Sequence, residues 1–314
     1  MSVTWFRRWT MLTIAGVCFL TVAGGVVRLT GSGLGCDDWP ACNNERFLDV
    51  SSGHAAIEQI NRLFSGLIAV PMILMVVGAF RLRSPRPGVR SASIGVLVAI
   101  LANGVVGGFA VLGDLHPVLV QSHFVLAMVA IAFGLLAYRR AGHTPGVTVD
   151  EVPQRVRTTF AAIGMMTAVA IVTGTVVTGT GPHAGDEDAR RFGFDISTVA
   201  EVHSVSVLIT AALALGLLVV LQRRTPSLVR RFGSSLGTWL FLVVLQGGIG
   251  YVQYFSGVPE TLVAAHIAGA TAVWVATVLL VLDAFGIGVR SATMTDSADQ
   301  GFPPGISLPV HQDA

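Results

Sequence analysis

Long apolar stretches alternate with short polar segments along almost the whole chain. About 20 consecutive apolar residues are enough to cross a bilayer as an α-helix. Eight such stretches occur, at residues 9–29, 59–80, 91–112, 118–138, 158–179, 199–222, 234–255 and 262–285. The apolar residues run continuously rather than alternating with polar ones, which favours helices over strands. The pattern therefore predicts an all-α integral membrane protein with eight transmembrane helices.

The composition agrees with this prediction. Of the 314 residues, 53% are hydrophobic and 12% are charged, whereas soluble domains carry about 25% charged residues. The net charge of +2 gives no indication of a nucleic-acid partner. The apolar composition instead predicts membrane lipid as a partner. All 20 basic residues are arginines, which excludes Schiff-base or P-loop lysine chemistry.

The arginines are divided unequally between the two sets of loops. Three lie in the first set, at Arg46, Arg190 and Arg191, among several Asp and Glu residues. Fifteen lie in or beside the second set, which includes both termini: Arg7, Arg8, Arg81, Arg83, Arg86, Arg90, Arg139, Arg140, Arg155, Arg157, Arg223, Arg224, Arg230, Arg231 and Arg290. Because basic residues accumulate in cytoplasmic loops, we expect both termini in the cytoplasm and the first set of loops outside.

The two halves of the chain resemble each other. The segment Asn103-Gly-Val-Val-Gly corresponds to Gln246-Gly-Gly-Ile-Gly at an offset of 143, and His123 and His266 share that offset. We therefore predict two pseudo-symmetric four-helix bundles. The predicted division is 1–140 for the N-terminal bundle, 141–157 for a cytoplasmic linker, 158–290 for the C-terminal bundle and 291–314 for a disordered cytoplasmic tail.

Three histidines, His123, His203 and His266, lie inside predicted spans 4, 6 and 8, near their outer ends. An ionisable residue within a span is a functional hypothesis, although a histidine that bonds across helices to stabilise the bundle is the alternative. Neutral imidazole binds metals. His203 and His266 are candidate axial ligands of one haem, and a copper or zinc site made by all three is the other possibility. The glycine-rich apolar spans favour haem, and without a CxxCH sequence the haem would be non-covalent.

The N-terminal half differs from the C-terminal half at the position that corresponds to His203. Ile60-Asn61 corresponds to Val202-His203 at an offset of 142, and Asn61 shares one helix face with Glu58 and Arg62. Glu58 is either a carboxylate that pairs with Arg62 at the start of the helix or an acid–base group beside a substrate site. Because only His123 remains as a candidate ligand, we expect a six-coordinate haem in the C-terminal half and a looser substrate site in the N-terminal half.

Two of the three cysteines, Cys36 and Cys42, frame a short segment of the first outward loop. The oxidising outer compartment favours a disulfide between them, either as a structural link or as a redox-active pair. Cys18 lies within the first span and is predicted to be a packed apolar residue.

The segment from Arg28 to Cys42, Arg-Leu-Thr-Gly-Ser-Gly-Leu-Gly-Cys-Asp-Asp-Trp-Pro-Ala-Cys, resembles the signature of the haem A synthase family. The Glu58-x-x-Asn61-Arg62 sequence and the histidines at the starts of spans 4, 6 and 8 are also similar, so the resemblance covers residues 9–285. It implies an oxidoreductase that acts on a CH group, oxidising the C8 methyl of haem O to a formyl group by successive hydroxylations. The haem A formed would serve aa3-type cytochrome oxidases.

The resemblance also implies the cofactor, the partners and the site residues. Haem b would be bound by His203 and His266. The substrate haem O, supplied by a haem O synthase, would lie near His123, Asn61 and Arg62, with Glu58 essential. An electron acceptor of unspecified identity and a location in the bacterial plasma membrane follow as well. This sequence departs from the family pattern at two places. The family commonly has His at the position of Asn61, and many members have a second cysteine pair in the loop that corresponds to 180–198, where this sequence has no cysteine.

Two other functions are compatible with the residues alone. A non-enzymatic di-haem b-type electron carrier would also use histidine pairs, but a transmembrane carrier would need a haem near the inner face, and the candidate ligands all lie near the outer one. A transporter would need interrupted helices and buried carboxylates at the centre of the membrane, which the sequence does not indicate. We therefore predict haem A synthase activity.

Overall fold

The computed structural model describes residues 1–143 and 151–287, and helices account for most of them. The helices are α1 (Val3–Leu29), α2 (Gly53–Phe80), α3 (Val89–Leu112), α4 (Pro117–Gly142), α5 (Gln154–Thr180), α6 (Ile196–Arg224), α7 (Pro226–Phe255) and α8 (Glu260–Ala284). All eight are long and apolar enough to cross a membrane, and no strand occurs in the two described ranges. The predicted all-α fold with eight spans is confirmed, and the chain is a multi-pass membrane protein. The tail predicted at 291–314 lies outside the described residues.

Several helices begin earlier than the predicted apolar stretches because polar residues cap them. The Ser52 hydroxyl accepts a hydrogen bond from the Ala55 N–H at 3.1 Å at the start of α2. The Asp195 carboxylate accepts one from the Thr198 N–H at 2.8 Å at the start of α6. Side-chain oxygens at this position satisfy backbone N–H groups that have no partner within the helix. The extra turns at the start of α2 place Glu58 inside the helix, whereas the other residues of the predicted site already lie within the predicted stretches.

The helices pack as two groups of four. Within each group, neighbours along the chain are in contact and the first helix closes against the last, α1 with α4 and α5 with α8. Contacts of α1 and α4 with α8, and of α4 with α5, form the seam between the groups. Across this seam, the Trp274 indole N–H donates to the Met128 carbonyl at 2.8 Å. The packing agrees with two four-helix bundles, while the predicted domain boundaries stay a prediction.

The two ends of the molecule carry different chemistry. The loops 30–52, 113–116, 181–195 and 256–259 lie at one end, which we call the histidine end because the even-numbered helices begin there with their histidines. The opposite end, the arginine end, carries Arg139, which pairs with Asp283, and Arg7, whose guanidinium lies 4.1 Å from the centre of the Tyr138 ring. The polar residues of the candidate site all lie at the histidine end.

Candidate functional site

His203 of α6 and His266 of α8 face each other near the histidine end. Their ring centres are 6.3 Å apart, and the ring planes are inclined at 79°. Nδ1 of His203 lies 2.9 Å from the Ala170 carbonyl oxygen of α5, so this nitrogen carries the proton and Nε2 is left as an acceptor. Nδ1 of His266 is buried, and no partner for it is found in the described parts of the chain.

This pair fits a haem held by two axial histidines. Bonds from imidazole nitrogen to a metal are about 2 Å long, and two such bonds plus the reach of each ring from its centre to its nitrogen add up to roughly the observed separation. Two glycines make room for the rings. A Cβ on Gly174 would lie 3.0 Å from Cε1 of His203, and one on Gly250 would lie 3.2 Å from Cε1 of His266. Side chains at these positions would displace the rings.

His123 of α4 stands apart from this pair. In the described ranges, no group of three or more His, Cys, Asp and Glu side chains is gathered into a metal site. The alternative of a copper or zinc site made by all three histidines is therefore wrong, because the third ring lies in the other bundle. Of the three candidate ligands, two therefore form a pair in the C-terminal half and the third lies alone in the N-terminal half.

Two features beside His123 repeat those beside His266, namely an amide that bonds to the histidine carbonyl and a glycine that faces the ring. The Asn103 amide donates to the His123 carbonyl at 2.7 Å, and the Gln246 amide donates to the His266 carbonyl, also at 2.7 Å. His123 Nδ1 lies 3.0 Å from the Asn103 carbonyl oxygen, which again leaves Nε2 free as an acceptor. A Cβ on Gly107 would lie 2.9 Å from the His123 ring. The sequence repeat at an offset of 143 thus corresponds to a repeated structural element.

The position of Asn61 breaks the symmetry. Gly24-Gly-Val-Val in α1 matches Gly174-Thr-Val-Val in α5 at an offset of 150. Gly174 is covered by the His203 ring, but a Cβ built on Gly24 would meet no other atom of the described chain within 4 Å. Oδ1 of Asn61 is buried and has no hydrogen-bond partner in the described ranges. The N-terminal half therefore has open space and an unsatisfied amide oxygen where the C-terminal half has an imidazole.

Glu58 is buried, with 5% of its surface exposed, and both of its carboxylate oxygens have partners. Oε2 accepts from the Cys36 N–H at 2.7 Å. Oε1 accepts from Nη2 of Arg62 at 2.6 Å and from Nε at 3.1 Å. Both readings of Glu58 remain compatible with this geometry, because a carboxylate held by a guanidinium is a fixed negative charge as well as a structural link.

The first loop is fastened to α2 by the same residues. A disulfide joins Cys36 and Cys42, with an S–S distance of 2.00 Å, so the predicted pairing agrees with the structure. Inside the closed loop, Nη1 of Arg62 donates to the Asp38 carbonyl at 2.9 Å and to the Ala41 carbonyl at 3.0 Å. The Glu58–Arg62 pair thus holds the disulfide loop against the start of α2.

The loop extends over the N-terminal half. Trp39 packs on α3, and its ring would lie 2.6 Å from a Cβ on Gly108, the residue next to the glycine beneath His123. A Cβ on Gly35 would lie only 2.3 Å from the His54 carbonyl oxygen, so glycine is needed for the loop to approach the start of α2. The disulfide loop therefore covers the histidine end of the N-terminal bundle.

Sequence reasoning missed the roles of Arg28, Asn103 and Gln246. Nη2 of Arg28 donates to the Thr178 carbonyl at 2.7 Å, which links the two bundles. The repeat contained Asn103 and Gln246 at matching positions, but it did not indicate that their amides bond to the histidine carbonyls. Arg28 was visible only as the first residue of the loop motif, since the sequence does not show which helix it meets.

The sequence model of the COX15-CtaA family, described as cytochrome oxidase assembly protein, matches residues 7–278. The chain belongs to this family. Among curated COX15-CtaA relatives, the heme A synthase of Geobacillus kaustophilus strain HTA426 is 28% identical over 136 residues, which cover 43% of this chain and 42% of the relative. The heme A synthase of Geobacillus thermodenitrificans is 26% identical over 136 residues, with the same coverage. The heme A synthase of Alkalihalophilus pseudofirmus is 26% identical over 125 residues, 40% of this chain and 42% of the relative. The chain thus matches less than half the length of these curated relatives of the family.

Proposed function

We propose that this protein is a haem A synthase, which oxidises the C8 methyl of haem O to a formyl group and so makes haem A for aa3-type cytochrome oxidases. The observation that carries this proposal is the asymmetry between the bundles. One bundle has two histidine rings 6.3 Å apart, which suits a resident cofactor. The other has only His123 as a candidate ligand, together with open space and a buried ion pair, which suits a substrate that must enter, react and leave.

In the C-terminal half, His203 and His266 would hold haem b by its two axial positions. Haem supplies one-electron redox chemistry when it is bound. The Ala170 carbonyl fixes the orientation of the His203 ring, and Gln246 holds the backbone of α8 at His266. A haem held by these two side chains would transfer electrons rather than bind a further ligand.

In the N-terminal half, His123 would bind the iron of the substrate haem O through its free Nε2. Oxidation of the methyl group builds positive charge on carbon and releases protons. The Glu58 carboxylate, held by Arg62, would stabilise that charge and accept a proton, directly or through water. Trp39 and the disulfide loop would cover the substrate on the side of the histidine end and restrict the access of water.

The arrangement in the membrane follows the distribution of arginine. The histidine end would face the outside of a bacterial plasma membrane, and the arginine end with both termini would face the cytoplasm. The oxidising outer compartment then accounts for the Cys36–Cys42 disulfide. Haem O would be supplied by a haem O synthase. The methyl carbon would take its oxygen from water, and its electrons would pass to a separate electron acceptor.

Extraction of haem from the purified protein tests this function. The full chain is expressed with a haem O synthase, and the extracted haems are separated by chromatography. We expect haem B together with haem O, its hydroxylated derivatives or haem A. Haem B alone, with haem O available in the same membranes, would contradict the proposal and favour a di-haem b-type electron carrier.

A further inference from the structure

Two arginines that have no carboxylate partner among the described residues lie on adjoining segments at the seam, at the histidine end. Arg28 is at the end of α1, and its Cγ would lie 3.5 Å from a Cβ on Gly185, in the loop between α5 and α6 that also carries Arg191. Within residues 1–143 and 151–287, neither guanidinium forms an ion pair. An anion beside both side chains would offset the repulsion between their positive charges.

Both guanidiniums also have buried N–H groups that are left without an acceptor. Nη2 of Arg28 donates to the Thr178 carbonyl, but its Nε is buried and unpartnered in the described residues. Nη2 of Arg191 donates to the Pro182 carbonyl, while its Nη1 is likewise buried and unpartnered there. Burial also lowers the pKa of Arg191 below its usual value. Buried donors of this kind are costly, and an oxyanion would satisfy them.

The position of Arg28 relative to His203 and His266 indicates which anion the two arginines bind. Its partner Thr178 lies one helical turn beyond Gly174, the glycine beneath the His203 ring. Arg28 itself lies nearly one turn beyond Gly25, where a Cβ would meet the Ile267 side chain at 2.8 Å. Ile267 is the residue after His266. Arg28 is therefore about one turn, roughly 5 Å, closer to the aqueous end than the level of the two rings.

A haem held between these rings has two carboxylates on one edge. Ionised carboxylates are costly in the apolar centre of a membrane protein, so this edge should point toward the aqueous end. That direction leads to Arg28. A guanidinium presents paired N–H donors that match the two oxygens of a carboxylate.

We propose that Arg28 and Arg191 bind a propionate carboxylate of the haem held by His203 and His266. This inference rests on the proposed haem site, and it assigns to the first residue of the loop motif a role in binding the cofactor of the other bundle. The loop after α1 and the loop after α5 are joined beside this site, where the Gly33 N–H donates to the Gly185 carbonyl at 2.8 Å.

The test compares haem b with its dimethyl ester, in which both carboxylates are neutral. Full-length protein prepared without haem is titrated with each compound, and only the low-spin spectrum of bis-histidine ligation is counted. We expect the ester to bind the wild type roughly 10- to 100-fold more weakly than haem, as for the loss of a hydrogen-bonded charge. In Arg28→Gln, haem binding should weaken by a similar factor and the difference between haem and ester should largely vanish.

Three further variants support the comparison. Arg191→Gln should give a smaller loss with the same pattern, and it leaves the bond from Arg28 to Thr178 intact if Arg28→Gln fails to fold. Arg28→Lys keeps the charge, so it should retain part of the difference in affinity between haem and ester and most of the midpoint potential of the bound haem. Arg28→Gln should lower that potential because the propionate carboxylate is left uncompensated. Arg190→Gln is the matched control, since Arg190 is exposed on the same loop, and it should behave as wild type.

Equal binding of haem and ester by the wild type would overturn the propionate site alone. So would an equal loss for both compounds in Arg28→Gln, which would indicate that this arginine only links the bundles. If Arg28→Gln loses co-purified anionic phospholipid while the difference between haem and ester persists, the anion is a lipid headgroup and the proposal is wrong. A wild-type protein that gives no low-spin spectrum with either compound would contradict the haem b site itself.

Discussion

The two bundles share a framework but differ at one position, which an imidazole fills in the C-terminal bundle and which is open in the N-terminal bundle. In both, an amide from the preceding helix bonds to the carbonyl of a histidine near the start of the last helix, His123 in one and His266 in the other. The C-terminal bundle adds His203 opposite His266. The N-terminal bundle has Asn61 there, with space around Gly24. The comparison teaches that one difference in a duplicated framework, an amide in place of an imidazole, leaves one bundle open where the other is filled.

Removal of the Glu58 charge should produce the largest difference between the halves. Glu58→Gln keeps an oxygen acceptor for the Cys36 N–H but removes the negative charge. We expect haem A formation to fall by about 10²-fold or more, the scale for a positioned acid–base group, while the haem b content of the other half stays unchanged. Product chromatography and the low-spin spectrum measure the two effects.

The matched control is Glu201→Gln, because Glu201 is an exposed carboxylate near the start of α6 in the other bundle. This variant should make haem A at the wild-type rate. If Glu58→Gln does so too, Glu58 serves only to hold the loop together with Arg62, and the acid–base role is wrong.

Replacement of Asn61 should make the N-terminal half resemble the C-terminal half. In the wild type, haem O bound at His123 should be five-coordinate, and its ferrous form should bind carbon monoxide. Asn61→His should supply a second axial ligand, so a second low-spin signal should appear and carbon monoxide binding should be suppressed. Asn61→Gln, which adds length without an imidazole, should still bind carbon monoxide. A wild-type protein whose bound haem O is already low-spin and inert to carbon monoxide would contradict an open N-terminal site.

The fold could be predicted from the sequence because each helix is encoded by a continuous apolar stretch, and the repeat showed that the helices form two groups. The separation of the histidines into a pair and a single residue followed from their positions in that repeat. The contacts of Glu58 could not be predicted, because they depend on a loop that folds back from Cys36 onto α2. Arg28 was missed for a similar reason, since its partner Thr178 lies 150 residues away in sequence and in the other bundle.

Loss of the disulfide should affect the N-terminal half more than the C-terminal half. The double variant Cys36→Ser, Cys42→Ser removes a short cross-link that should contribute about 2 kcal/mol to the free energy of unfolding. The loop that carries Trp39 should then become more mobile. We expect reduced haem O binding and haem A formation, with haem b bound normally. Mass spectrometry of peptides prepared without reduction verifies the bond in the wild type. Two freely alkylated cysteines in freshly isolated membranes would contradict it.

A matched pair of glycine substitutions should give the smallest effect. Gly174→Ala places a methyl group 3.0 Å from Cε1 of His203, whereas Gly24→Ala places one in open space. The first should shift the low-spin spectrum and weaken haem b binding severalfold, and the second should leave both unchanged. Equal effects of the two substitutions would show that the His203 ring does not lie against α5 as described.

Reciprocal removal of the histidines tests the division of roles most directly. His203→Ala and His123→Ala are each expressed with a haem O synthase, and the haems retained by the purified proteins are identified by chromatography and by their spectra. The account predicts that His203→Ala loses haem B but retains haem O, and that His123→Ala retains low-spin haem B but loses haem O and its oxidised products. Loss of the same haem from both variants, or a bis-histidine haem B spectrum that survives in His203→Ala, would contradict it.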